Sequence, residues 1–203
     1  MYIIGLTGTY CAGKNYVARF LELRGLPVLD VDKLGHKALE AEKPAVLERF
    51  GPLIVGNDGG IDRRLLGEKV FDDAEALQAL ENIVHPVVNQ LVETWIEAQA
   101  GKACVINAAL LHKTAFFSEL RFTILVQAPW LVRLGRAKKR DRLPWKQIVT
   151  RFGSQKKWRA QYFRKNADTY IVYNGGFFES FFKGSVASQL DRILSLKGLQ
   201  IQY

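Results

Sequence analysis

Cysteine is scarce in this sequence: Cys11 and Cys104 are the only two in 203 residues. Two distant thiols make no disulfide framework, so a hydrophobic core has to hold the fold, and a reducing cytoplasmic setting is expected. With only three histidines beside them, the ligand spacing of a structural zinc site is missing. No apolar run approaches the roughly 18 residues of a membrane span, so no membrane partner is expected. The opening Met1-Tyr2-Ile3-Ile4-Gly5-Leu6-Thr7-Gly8 has no basic segment ahead of its apolar residues. It reads as a strand rather than an export signal. There is no internal repeat, no low-complexity linker, and no N-K-x-D of the kind a GTPase uses to read guanine.

What is present is a globular composition, 48% hydrophobic and 24% charged. A chain of this length forms one domain, with or without insertions, and buries about 70% of its unfolded surface. The net charge of +9 is local in origin. Residues 133–165 hold 13 Lys or Arg against one acid, Asp141, and the rest of the chain is net −3. That segment implies a polyanionic partner, either a phosphate-rich small molecule or nucleic acid.

Apolar runs alternate with helical patterns. Strands are expected at Tyr2–Thr7, Pro27–Asp32, Ala103–Asn107, Arg121–Gln127 and Thr169–Tyr173. Helices are expected from Gly13 to about Gly25, over Lys33–Glu42, after a capping Asp62, from Pro86 to about Ala100, through 133–165 with a break at Leu143-Pro144, and over 179–196. This order predicts an α/β fold, a central parallel sheet with helices on both faces. The predicted core is 1–55, 101–130 and 168–203, with helical regions at 56–100 and 131–167.

The sharpest local signal is Gly8-Thr9-Tyr10-Cys11-Ala12-Gly13-Lys14-Asn15. It fits G-x-x-x-x-G-K-[ST] except at its last residue, and it lies between a strand and a helix. Glycines let backbone N–H groups curl round a phosphate, the helix start adds a positive end, and Lys14 reaches the outer phosphates. Tyr16 follows in the first helical turn. Asn15 stands where a hydroxyl would meet Mg²⁺; its amide oxygen is also a hard neutral ligand. Cys11 reads either as a thiol activated by a helix start or as a small residue that fits the loop.

Among nucleotide-binding classes, a motor ATPase places an acid at the end of a late apolar strand, whereas Cys104-Val105-Ile106 ends in Asn107. A small kinase needs an acid near the second strand and an arginine-rich lid. Asp30-Val31-Asp32 provides the first, at the carboxyl edge of the sheet where ligands bind. In extended backbone the two acids point opposite ways, so one of them faces the loop; alternatively both are helix caps. Residues 131–167 provide the lid.

Taken in order, these residues resemble the dephospho-coenzyme A kinases from the first strand to Asn174. Gly5-Leu6-Thr7-Gly8 with the phosphate loop is similar to that family's opening, and Leu29-Asp30-Val31-Asp32 to its D-x-D strand end. Gly60-Ile61-Asp62-Arg63-Arg64-Leu65-Leu66 with Val70-Phe71, then His85-Pro86, resemble its next segments. Arg136, Arg140-Asp141, Gln155, Ala167-Asp168 and Asn174-Gly175-Gly176 resemble its lid and ending. Two departures stand out: Asn15 replaces Ser or Thr, and the family's D-x-P-L-L-F-E reads Asn107-Ala108-Ala109-Leu110-Leu111-His112-Lys113.

The resemblance implies a P-loop NTPase-type three-layer fold with a helical acceptor-binding insertion at 56–100 and a helical basic lid. It implies ATP-dependent phosphorylation of the ribose 3′-hydroxyl of dephospho-coenzyme A, with Mg²⁺. By position, Asp32 would orient or accept the hydroxyl proton, Lys14 and the loop would hold the triphosphate, and Arg140 with Arg136 would close on the transferring phosphoryl. Asn174 and Gly176 would border the adenine. Arg63, His85, Leu110 and Leu111 would meet the acceptor, and Asn15 the metal. The chain is expected to be a monomer or weak homo-oligomer.

Blander readings remain for several residues. His85 can enter a helix with Pro86, Arg63 and Arg64 can be solvated helix charges, and His36 and His112 have no assigned role. Trp145, Phe152, Trp158, Tyr162 and Phe163 interleave with the basic segment, a composition that also suits stacking on single-stranded nucleic acid. Lid packing explains the same aromatics without that partner. A regulatory nucleotide-binding protein without turnover is the third reading.

Overall fold

A computed structural model of the chain describes residues 2–70, 73–141, 144–154, 168–176 and 184–199. Phe71, Gln155, Trp158, Tyr162, Phe163 and Ala167, all named above, lie outside the described residues. The chain divides into two compact units, Met1–Leu29 with Gln99–Tyr203, and Asp30–Ala98.

The first unit is built on five strands: β1 (Ile3–Gly8), β2 (Val28–Asp30), β3 (Cys104–Asn107), β4 (Phe122–Gln127) and β5 (Thr169–Tyr173). Their order is β2-β3-β1-β4-β5. β1 runs parallel to both β3 and β4, and β4 parallel to β5. A parallel sheet covered on its faces needs near-continuous apolar strands, and β3 and β4 are buried along their whole length. Ile4 and Leu6 point to the face covered by α1 (Lys14–Glu22) and by a helix at Val186–Leu196, through Val17, Leu21, Leu190 and Leu194. Gly5 points the other way, where an added Cβ would come within 2.6 Å of Leu111 Cδ2 and 2.7 Å of Leu120 Cδ1. Only glycine lets the loop after β3 approach this closely.

In the second unit, α2 (Val31–Ala41), α3 (Lys43–Phe50), α4 (Arg63–Val70) and α5 (Ala74–Glu97) enclose a core of Leu39, Val46, Phe50, Ile54, Leu66 and Val70. Asp62 caps α4, accepting from the N–H groups of Arg64 and Leu65. Those bonds hold its carboxyl below the usual range.

Two expectations change here. The second strand stops at Asp30, and Val31 opens α2. Asp32 is therefore an exposed acid in a helical first turn, and strand alternation does not relate it to Asp30. The helix expected from Pro86 starts twelve residues earlier, at Ala74. Asp73 caps it, accepting from Glu75 N and Ala76 N at 2.9 Å. An interior proline costs about 3 kcal/mol relative to alanine. Packing on both sides of Pro86, by Ala76, Leu80 and Ile83 before it and Val88, Val92 and Ile96 after it, carries the helix through.

The basic segment forms α6 (Trp130–Asp141) and α7 (Trp145–Ser154), broken at Pro144 as expected. With those two placed, the helix at Val186–Leu196 is α8.

Candidate functional site

The loop after β1 turns on two residues of positive φ, Cys11 at 58° and Gly13 at 91°. Thr9 N–H donates to Val126 O and Ala12 N–H to Thr9 O. Gly13 is the N-cap of α1, and no side chain caps that helix. An uncapped helix start after a tight loop is a ready anion site. Lys14 is half-buried as the first residue of α1. Tyr16 is 48% exposed, with its ring edge-on to Phe20 at 5.0 Å.

A second set of residues holds the loop from outside. Asn174, 3% exposed just past β5, donates Nδ2–H to Ala12 O at 2.8 Å. Arg136 of α6 donates to Ala12 O at 3.1 Å and to Asn174 Oδ1 at 3.1 Å. An added Cβ on Gly13 would come within 2.2 Å of Asn174 Nδ2, and one on Gly176 (φ 61°) within 3.4 Å of Arg136 Nη2. Gly13 is thus required twice, by its backbone angle and by this close approach.

The basic helices pack on the loop itself. Ala137, Ile148 and Phe152 form a small buried cluster with Tyr10, Cys11 and Leu134 against it. Tyr10 meets Phe152 edge-on at 5.5 Å. Arg133 donates to Tyr10 O at 2.8 Å and lies 4.4 Å over the Phe152 ring. Phe152, 9% exposed, is therefore spent on packing α6 and α7 against the loop. Burial pushes the Cys11 thiol up, against the opposing pull of Arg140; such a thiol is the opposite of an activated one.

Arg140, at the end of α6, is paired to the next residue, with Nε 2.6 Å from Asp141 Oδ1. The Tyr10 hydroxyl also donates to Asp141. Asp141's hydrogen bond holds Arg140 charged well beyond the ordinary arginine range. Sequence reasoning gave Asp141 no role, nor Arg133.

At the eighth loop position, Asn15 Oδ1 accepts from Asn107 Nδ2 at 3.2 Å. Asn107 closes β3, beside Leu6 of β1. It is 2% exposed, and its own Oδ1 has no hydrogen-bond partner among the described residues. The signal for this pair lay in the sequence, since positions 15 and 107 both depart from the family pattern.

Among the acceptor candidates, Leu110 is half-buried, while Leu111 has no exposed surface and packs toward Gly5. In the second unit, Arg63 Nη1 lies within 3.0 Å of both ring nitrogens of His36. His85 is exposed in the middle of α5. No cluster of His, Cys, Asp or Glu able to hold a metal occurs among the described residues, and none of their helices is long and apolar enough to cross a membrane.

A family model described as dephospho-CoA kinase matches residues 2–179. The dephospho-CoA kinase of Treponema pallidum is 36% identical over 207 residues, covering 97% of this chain and 96% of that protein. The one from Treponema denticola is 35% identical over 184 residues, covering 85% and 82%. A crystal structure of a Thermus thermophilus protein superposes with a TM-score of 0.79 at 32% identity, over 96% of this chain and 97% of that one. Shikimate kinase from Acinetobacter baumannii, at 19% identity and a TM-score of 0.52 over 97% and 93%, shares the P-loop NTPase-type α/β fold alone. Because the family match runs through the phosphate loop and every strand of the sheet, this protein belongs to the dephospho-CoA kinase family and is a phosphotransferase.

Proposed function

We propose that this protein transfers the γ-phosphoryl group of ATP to the ribose 3′-hydroxyl of dephospho-coenzyme A, giving coenzyme A and ADP. The observation that carries the reading is the clamped, uncapped phosphate loop, with Lys14 at the helix start and a basic helix pair packed on it. Loop amides from Gly8 to Gly13 and the first turn of α1 hold the triphosphate, and Lys14 neutralises its outer charge. Arg136, together with Asn174 and Gly176, keeps the loop in shape beside the adenine. Arg140 leaves Asp141 for the transferring phosphoryl, whose transition state spreads charge over its equatorial oxygens. Asp32 orients the acceptor hydroxyl and accepts its proton. Leu110, the accessible member of its leucine pair, His85 and Arg63 contact the acceptor.

Amide oxygens are chemically suited to Mg²⁺; Asn15, at the eighth loop position, carries one, and it accepts from Asn107 Nδ2 at 3.2 Å. When bound, the ion neutralises charge between the outer phosphates. The enzyme works as a monomer or weak homo-oligomer in the cytoplasm, where its two free thiols stay reduced.

The test is ADP release with ATP and Mg²⁺, comparing dephospho-coenzyme A with adenosine and a nucleoside monophosphate, alongside Asp32→Asn. Turnover confined to dephospho-coenzyme A, and reduced by orders of magnitude in the variant, is expected. Tight ATP binding without turnover on any acceptor would overturn the reading in favour of a regulatory protein.

A further inference from the structure

We propose that Tyr10 is a positioning residue for phosphoryl transfer: its hydroxyl secures Asp141, and Asp141 sets how readily Arg140 is given up to phosphate. This rests on the role proposed above for Arg140. Asp141 stands where helix physics disfavours an acid. It is the last residue of α6, at the negative end of the helix dipole, and its side chain is only 14% exposed. A carboxylate so placed needs donors, and both of its oxygens have them. Arg140 Nε donates to Oδ1 at 2.6 Å and Nη2 to Oδ2 at 3.1 Å, and the Tyr10 hydroxyl also donates to Oδ2. The Arg140 side chain keeps 61% of its surface exposed. The arginine is therefore the member of the pair with room to turn.

Tyr10 is held from several sides. It is the third residue of the phosphate loop, its carbonyl oxygen accepts from Arg133 Nε in the first turn of α6, and its ring meets Phe152 of α7 edge-on. The Arg140 guanidinium carbon lies 5.3 Å from the centre of the same ring. When Arg140 turns to a phosphoryl group, Asp141 loses two charged donors and keeps the tyrosine hydroxyl. That bond holds the carboxylate against the loop and satisfies part of the charge that would draw the arginine back. Without the hydroxyl, the same carboxylate retains Arg140 more strongly, and the transition state loses its cation. Loop amides bind the nucleotide without using that hydroxyl, so the effect falls on the transfer step rather than on binding.

The test is a double-mutant cycle of Tyr10→Phe and Asp141→Asn. It is read by rapid-quench single turnovers with ATP and dephospho-coenzyme A, so that product release does not mask the transfer step. Tyr10→Phe keeps the ring, and thermal unfolding reports whether its packing on Phe152 survives. Tyr10→Phe alone is expected to slow transfer by about 10-fold, with the KM for ATP within about two-fold of wild type. In the Asp141→Asn background the same change is expected to slow transfer by less than about two-fold, because the carboxylate that the hydroxyl restrains is gone. A merely structural tyrosine gives a different pattern. Tyr10→Phe then lowers the melting temperature with an unchanged transfer rate, or slows transfer equally with aspartate or asparagine at position 141. Either result overturns the proposal while the function stands. Arg140→Ala with wild-type transfer overturns the role of Arg140, and this inference with it. Wild type that transfers no phosphoryl group to dephospho-coenzyme A overturns the proposed function itself.

Discussion

Asn174 donates its Nδ2–H to the carbonyl oxygen of Ala12 at 2.8 Å, joining the end of β5 to the phosphate loop across 162 positions of sequence. Arg136 reaches the same oxygen from α6. Asn174→Ala therefore leaves Ala12 and Arg136 short of a partner. We expect a loss of about 1–3 kcal/mol in denaturant unfolding and a raised KM for ATP. Gly13→Ala forces a methyl group to within 2.2 Å of Asn174 Nδ2 at a φ of 91°. Calorimetry should find no ATP binding to that variant; wild-type affinity would show that the loop tolerates the shift.

Asp141 holds the guanidinium of Arg140 and the hydroxyl of Tyr10. Its carboxylate is the only acid in the basic segment and, on the function proposed above, competes with phosphate for the same arginine. Asp141→Asn should bind ATP several-fold more tightly at low salt, with a steeper loss of affinity as salt rises. Arg140→Ala should lower kcat by about 10²–10³-fold with a smaller change in KM.

Burial raises the Cys11 thiol, and thiolate is the reactive form. Alkylation of Cys11 by iodoacetamide should be slow at pH 7, and its rate should reach its plateau at a higher pH than that of an ordinary exposed thiol. Bound ATP should slow it further. Peptide mapping separates this site from Cys104, which is 0% exposed.

Pro86 interrupts the hydrogen-bond ladder of a 24-residue helix at an exposed position. Pro86→Ala should raise stability by about 1–3 kcal/mol in chemical denaturation. A neutral or negative result would mean the helix is bent there to fit its neighbours, with the bend supporting the packing of Leu80 and Val88.

The strands and the loop were legible because each rests on local pattern: compact apolar runs, and glycines spaced for a turn. What was not legible depends on neighbours in space. Three residues of β2 followed at once by helix leave no alternation to read, and local pattern alone runs the strand on to Asp32. A capping aspartate and a long apolar stripe outweigh one proline, so α5 started earlier than Pro86 suggested. Asn107 meets Asn15 because β3 lies beside β1, a fact of strand order that no single segment contains. Residues adjacent in a helix do not ordinarily face one another, so Asp141 was not expected to hold Arg140. At the final residue of α6 the side chain is released from that rule.

β1 lies in the middle of the sheet, with β3 on one side and β4 on the other. The strand that carries the phosphate loop has no free edge from which to peel away, and the loop's outer clamp comes from β5 and α6. Opening the nucleotide site by unravelling its support therefore requires breaking the whole sheet. Ligand occupancy and global unfolding become a single thermodynamic cycle: nucleotide at 100 times its Kd adds about 2.7 kcal/mol to the folded state. For this chain, the supply of nucleotide in its surroundings therefore bears on the stability of the fold as well as on the reaction.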